Sequence, residues 1–446
     1  MDNPQVSVAI LSEKKVNFDL YGDFRVPGFS RKFSGRFEAS LENDRIIVRQ
    51  DGELFNTDKE LLFDPVDLDI DSFLLKNVKI GKSFHWEKRE NQRFIGSLKL
   101  IKESGKITVV NILPVEDYLI SVISSEMNPN ASLEFLKTHA IISRSWVMAQ
   151  IQKQTEKMFL SQKETQKIET EDEIIKWYDH EDHTNYNVCA DDHCQRYQGI
   201  KKISGDSARK AVMETRGLVL KYDDAICDTR FSKCCGGVTE AFENVWEPKQ
   251  YPYLTSVIDY KFEPDGFIVD LVKERYAKKW ITDRPHAFCD TTDERILKQV
   301  LVDYDFETTN FYRWEEIYSQ GELSDIIQLK SGIDFGDIID LQPIERGYSS
   351  RIIKLKIIGT KKTLTVGKEL EIRRILSKTH LYSSAFIVEK GPIENDIPKS
   401  FRLKGAGWGH GVGLCQIGAA VMSEMGYNFD EILLHYFKNV RIQRAY

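Results

Sequence analysis

The period of the hydrophobic pattern changes at Pro114, and that change restricts the chain to folds that join sheet to helix. From Val6 to about Ile112, apolar and polar residues alternate in short runs such as KVNFDLYGDFRV and FIGSLKLIKESGKITVVNIL. These runs are rich in β-branched and aromatic residues and are broken by Gly, Asp and Asn, which predicts antiparallel strands. After Pro114, VEDYLISVISSEM carries apolar residues at helical spacing until Asn128-Pro129 stops it. A second helix, SLEFLKTHAIISRSWVMAQIQKQ, follows at once. The charged stretch from Thr155 to about Glu181 reads as an extension of that helix with a solvated face. Further on, SSRIIKLKIIG with KTLTVG predicts a hairpin and ELEIRRILS a short helix. The expected class is α+β: a β-rich region over 1–112, a core over 113–260, an inserted helical or irregular subdomain over 261–331 and a second core segment over 332–446.

Composition excludes several classes of protein. Hydrophobic residues make up 41% and charged residues 29%, as in ordinary globular proteins. No window holds the ~20 apolar residues that a membrane-spanning helix requires. A net charge of -7 argues against nucleic acid as the main partner, because binding a polyanion calls for a basic surface. The opening MDNPQVSVAIL is acidic where a signal peptide would be basic, so the chain shows no export signal.

Two charged residues break apolar helical stripes. Val115, Leu119 and Val122 form one stripe, and the next position on it is Glu126. A carboxylate sheltered there would suit a general acid; the alternative is a glutamate fraying into solvent at the helix end. On the second helix Leu136, Ala140, Val147 and Ile151 mark the stripe, and Arg144 lies on it. A structural ion pair with the preceding helix is one reading of Arg144. The other is contact with a substrate anion, since a permanent close pair with Glu126 would hold that carboxylate ionised.

Cysteine and glycine mark the remaining candidates. In DHEDHTNYNVCADDHCQRYQG, Cys189 and Cys194 lie five apart, with His183 six before the first and His180 and His193 nearby. Two thiolates and an imidazole suit zinc; a disulfide between Cys189 and Cys194 is the rival reading. RFSKCCGGVTEAFENVW places Ser232 before the double glycine Gly236-Gly237, without the Gly-x-Ser-x-Gly elbow of a nucleophile. GAGWGHGVGLCQIGA, from Gly405 to Ala419, packs six glycines around His410 and Gln416. It lacks the Gly-Lys-Ser/Thr of a phosphate loop, which leaves a tight packing corner or a ligand wall.

Taken in order, VEDYLISVISSEMNP, LKTHAIISRSW, HTNYNVCADDHCQRYQG, FSKCCGGVTEAFENVW, SSRIIKLKIIG and GAGWGHGVGLCQIGA resemble the stage II sporulation protein D family, which includes the LytB amidase enhancers. The resemblance runs from about Leu113 to near the C-terminus. It implies a lytic transglycosylase acting on peptidoglycan glycan strands, with Glu126 as catalytic acid and Arg144 beside it. It also implies zinc held by His183, Cys189 and Cys194, and a substrate groove edged by Ser232, Gly236, Gly237, Gly409, His410, Gly411 and Gln416. The alternative within the same family is a non-catalytic enhancer of a separate cell-wall amidase. Either role implies a periplasmic or cell-wall location. The sequence departs from the family pattern at Asn128, which puts proline one place late, and at Cys234 and Cys235, where the family carries small residues.

Overall fold

The computed structural model describes residues 3–57, 60–81, 87–128, 130–157, 167–177, 183–191, 194–200, 206–262, 270–301 and 308–446. It is a mixed assembly of many strands and few helices, in two compact units. One comprises 1–160, 180–219 and 443–446; the other comprises 161–179 and 220–442. His180, His193 and Pro129 lie outside the described residues.

The first unit is built on an eleven-stranded sheet, as the two-residue alternation requires. Its strand Gln5–Glu13 pairs antiparallel with Lys106–Pro114, from Gln5 opposite Pro114 to Glu13 opposite Ile107, with a one-residue shift of register between Ala9 and Leu11. The inward positions fill with aromatic rings. Phe18, Phe24, Phe33, Phe37 and Phe63 are all at most 4% exposed, and Phe18 stacks on Phe37 with ring centroids 5.1 Å apart. Strand Lys106–Pro114 runs directly into helix α1, Val115–Glu126. Pro114 serves as the residue before the first turn, where a missing N–H costs nothing. Helix α2 spans Leu133–Lys157 and helix α3 spans Ser207–Glu214.

Helix α1 is buried nearly all round, not along a single stripe: Val115, Glu116, Tyr118, Leu119, Ile120, Ser121, Val122, Ile123 and Ser125 are all enclosed. Serines at 121 and 125 are tolerated inside because each hydroxyl has a backbone acceptor, Gly199 O at 2.9 Å and Ser121 O at 2.7 Å.

The second unit holds a five-stranded sheet ordered Lys167–Glu169, Glu173–Lys176, Thr363–Gly367, Ile352–Gly359 and Ile338–Arg346. The predicted hairpin and the short helix Glu369–Ile375 are both present. The helical extension expected from Thr155 to Glu181 is corrected in part, because 167–169 and 173–176 form an antiparallel strand pair. Sequence-local charge patterning favoured helix there, but parallel pairing of Glu173–Ile175 with Thr365–Gly367 is a long-range contact that overrides it. Within 261–331, strand Arg313–Ser319 pairs with Ser400–Ala406, which in turn pairs with Phe386–Lys390.

The glycine-rich segment is laid backbone to backbone against residues 230–240. Cys234 N donates to Trp408 O at 3.0 Å, Trp408 N to Cys234 O at 2.8 Å, Glu240 N to Gly411 O at 2.9 Å and Leu414 N to Arg230 O at 3.0 Å. Such close approach leaves no room for side chains. A Cβ on Gly407 would lie 2.7 Å from Cys234 O, and one on Gly411 would fall on the Arg351 guanidinium. Gly411 also sits at φ +78°, where an L side chain is strained. Gly411→Ala should therefore lose about 2–4 kcal/mol from backbone strain and overpacking together. Denaturant unfolding reads this directly, and a loss below about 0.5 kcal/mol would show that the segment yields freely.

Candidate functional site

Glu126 is the last residue of α1 and is half-buried. Its Oε1 accepts a hydrogen bond from Arg196 N at 2.9 Å. That N–H belongs to a segment fastened along α1 by successive contacts. Tyr118 OH donates to Gln195 Oε1 at 3.2 Å, and Ser121 Oγ donates to Gly199 O at 2.9 Å. The Tyr118 and Tyr197 rings lie 5.2 Å apart, and Tyr197 OH donates to Asn111 Oδ1 at 2.6 Å. Burial pushes both phenols up, so they stay neutral and act here as hydrogen-bond donors. A glutamate at a helix C-terminus would ordinarily be repelled by the unpaired carbonyls. Here the 194–199 segment supplies the compensating donor, and no pattern within α1 could have revealed it.

The same segment begins at the candidate metal centre. His183, Cys189 and Cys194 bring their ligand atoms within 4.8 Å of one another. Cys194 Sγ lies 3.4 Å from His183 Nε2, close to the ~3.6 Å edge of a tetrahedral zinc site with bonds of about 2.3 and 2.1 Å. Gln154 of α2 anchors the approach, donating to His183 O at 3.1 Å and to Tyr186 O at 3.0 Å. Cys189 N donates to Cys194 Sγ at 3.4 Å, the kind of support a thiolate ligand receives. None of the seven cysteines, all of them among the described residues, is joined in a disulfide. The three residues could hold a zinc ion, which would fix the start of the loop that carries Arg196 N–H. Cys194→Ser should at least halve the zinc retained at this centre after dialysis against a weak chelator, read by metal analysis. Unchanged metal at this centre, isolated from any other, would remove the assignment.

Arg144 requires a correction. It is 0% exposed and its guanidinium contacts Glu116, not Glu126 or a surface. Nε donates to Glu116 Oε1 at 3.1 Å and Nη2 to Glu116 Oε2 at 2.7 Å. The remaining N–H groups reach Leu218 O at 3.1 Å and Val212 O at 3.2 Å. Glu116 Oε1 also accepts from Gly217 N at 3.0 Å and from Tyr446 OH at 2.7 Å. Every charge is matched inside the protein, so this guanidinium has no face to offer a substrate anion.

The second unit places the other candidates. Ser232 is 6% exposed, and its Oγ has no hydrogen-bond partner among the described residues. Gly236, Gly237 and Gly411 are buried, and the place a Cβ would take is already filled, by Gly407 N, the Trp280 ring and the Arg351 guanidinium respectively. Gln416 is 4% exposed as the first residue of helix Gln416–Glu424. These four are corrected from groove edges to internal packing, for the physical reason that their exposed surface is already taken by the chain itself. Gly409 and His410 are half-buried. His410 Nδ1 accepts from Val412 N at 3.0 Å and its ring packs edge-on to Trp246 at 4.8 Å. Burial, with Arg230 and Arg351 nearby, holds its pKa well below the usual histidine range, so the ring is neutral.

Arg351, which sequence reasoning missed, is what locks the glycine-rich segment in place. It is 1% exposed and donates to Gly409 O at 3.0 Å, Cys235 O at 3.0 Å and Ser349 Oγ at 2.9 Å. Glu240 was missed as well. This fully buried carboxylate accepts from Ala241 N, Asn244 Nδ2, Tyr348 N and Ser349 N and Oγ, all within 3.1 Å.

A β-rich unit that runs into two buried helices, followed by a Cys/His loop returning to the carboxyl end of the first helix, is the arrangement to be matched. Residues 103–222 match the family described as Stage II sporulation protein, and relatives named Stage II sporulation protein D and Amidase enhancer support a likeness to the SpoIID/LytB family. Residues 240–413 match Domain of unknown function (DUF8618). An uncharacterized protein of Brachyspira hyodysenteriae is 26% identical over 349 residues, 78% of this chain and 72% of its own length. Amidase enhancer of Bacillus subtilis is 25% identical over 244 residues, 52% of this chain and 32% of its own length. Stage II sporulation protein D of Bacillus amyloliquefaciens is 22% identical over 336 residues, 75% of this chain and 76% of its own length.

Proposed function

We propose that the chain is a cell-wall protein that cleaves peptidoglycan glycan strands as a lytic transglycosylase, with Glu126 as its single acid and base. The observation that carries this reading is the half-buried Glu126 carboxylate, held at the end of α1 by Arg196 N–H in a segment that the His183, Cys189 and Cys194 centre anchors. Ordinary glycosidases pair two carboxylates to activate water. A transglycosylase needs one, because the second nucleophile is already part of the sugar. Protonated Glu126 donates to the oxygen joining MurNAc C1 to GlcNAc, and that C1–O bond breaks. The carboxylate then takes the proton of the MurNAc C6 hydroxyl as its oxygen closes onto C1, giving a 1,6-anhydro end and restoring the acid. Zinc at the three-ligand centre would supply no step; it would keep Arg196 N–H aimed at Oε1.

The test is product analysis. Purified protein incubated with denuded glycan strands should release anhydro-muropeptide-type fragments visible by mass spectrometry. A second reading, enhancement of a separate cell-wall amidase, is favoured by the similarity to the Bacillus subtilis amidase enhancer. Absence of anhydro products, together with stimulation of an added amidase, would replace the first reading by the second.

A further inference from the structure

Four of the chain's buried metal-type ligands take no part in anything described so far. Cys235, Asp259, Cys289 and Cys415 come from four separate stretches: the double-glycine turn, the strand bridge after Ile258, the segment between two helices of 261–331 and the end of the glycine-rich run. All four are buried, and their ligand atoms lie within 4.8 Å of one another. We propose that these residues form a second metal centre, which binds one zinc ion as a structural staple.

The geometry is that of a closed tetrahedral site. Cys235 Sγ and Cys289 Sγ are 3.7 Å apart, against an edge of about 3.8 Å for two thiolates on zinc with bonds near 2.3 Å. Three sulfurs select a thiophilic ion over magnesium or calcium, and four protein ligands leave no open position for chemistry. The surrounding donors are those that orient metal ligands. Cys235 N donates to Cys415 Sγ at 3.2 Å and Gly237 N to Cys235 Sγ at 3.4 Å. Asp259 Oδ1 accepts from Tyr436 OH at 2.5 Å and Oδ2 from Cys289 N at 2.9 Å, which fixes the carboxylate beside the sulfurs. Gly418 leaves room for that carboxylate, since a Cβ there would fall on Asp259 and Tyr436.

The ion would join chain segments far apart in sequence, tie 261–331 to the glycine-rich run and set the residue from which helix Gln416–Glu424 starts. Cys234, also buried, stands beside the cluster without belonging to the four.

Metal stoichiometry separates this centre from the one at His183. The full chain, purified under reducing conditions and loaded with zinc, should retain two ions after dialysis against a weak chelator. The Cys189→Ser/Cys194→Ser double variant should retain one, and loading it with cobalt(II) should give the near-ultraviolet charge-transfer absorption of a thiolate-rich site. Adding Cys289→Ser should lower that signal by about a third or more, one thiolate of the three being lost, whereas Cys234→Ser should keep it. Core cysteine variants can fail to fold, so the wild type provides an independent readout. In it, zinc should protect Cys235, Cys289 and Cys415 from alkylation at least tenfold, by mass-spectrometric mapping. The proposal is overturned if the double variant, folded by circular dichroism, holds neither ion, or if those three cysteines alkylate equally fast with and without zinc.

Discussion

Arg144→Met is expected to cost about 3–5 kcal/mol of stability without altering the proposed action of the folded protein on a glycan strand. The loss arises because Glu116, only 5% exposed in its side chain, would stay buried while losing both hydrogen bonds from the guanidinium. Gly217 N and Tyr446 OH would remain as donors, too few to replace a buried cation. The double variant Glu116→Leu/Arg144→Met should recover much of the loss, since removing both charges removes the unpaired one. Denaturant midpoints of the two singles and the double close the cycle. A cost under 1 kcal/mol for Arg144→Met, or a large rise in KM for glycan with stability intact, would return Arg144 to the substrate.

Glu126→Gln carries the opposite signature. The amide oxygen can still accept from Arg196 N, so folding should be nearly unaffected. What disappears is the proton, and with it both halves of the proposed reaction. General acid–base groups contribute roughly 10²–10⁴-fold, and a residue serving as acid and then base should lie near the upper end. Release of anhydro-muropeptide-type products should therefore fall about 10³–10⁴-fold at unchanged melting behaviour. Less than a tenfold fall, with wild-type turnover well above background, would mean that another group transfers the proton. Together the two variants separate a charge that holds the fold from the carboxyl group proposed to do the chemistry.

How far the candidate site was legible depends on the range of the contacts involved. Glu126 and Arg144 stood out because each interrupts an apolar helical stripe, a signal contained within one turn or two of helix. The partner of Arg144 did not, because Glu116 lies 28 positions away on a helix buried almost all round, where no face is polar by default. Likewise the Cys/His segment marked His183, Cys189 and Cys194 as candidates, but not that Arg196, two residues on, would send its N–H to Glu126. The departure at Cys234 and Cys235 was visible as an oddity. Its partners Asp259, Cys289 and Cys415 carry no spacing rule that joins them.

By itself the sequence determined what periodicity and residue chemistry can encode locally. That includes sheet before Pro114 and helix after it, the two off-pattern charges, the loop of thiols and imidazole, and a glycine-dense segment that had to approach something closely. Tertiary structure alone decided what each of these meets. Three of the glycines, Gly411, Gly407 and Gly405, meet Arg351, Cys234 and Trp314 of the same chain, so the segment packs closely there. Arg144 meets Glu116, and four scattered ligands converge in one buried cluster. The physical reason is that periodicity is a property of a few consecutive residues. Burial and partner choice are set by contacts across scores or hundreds of positions, which the chain makes only once it is folded.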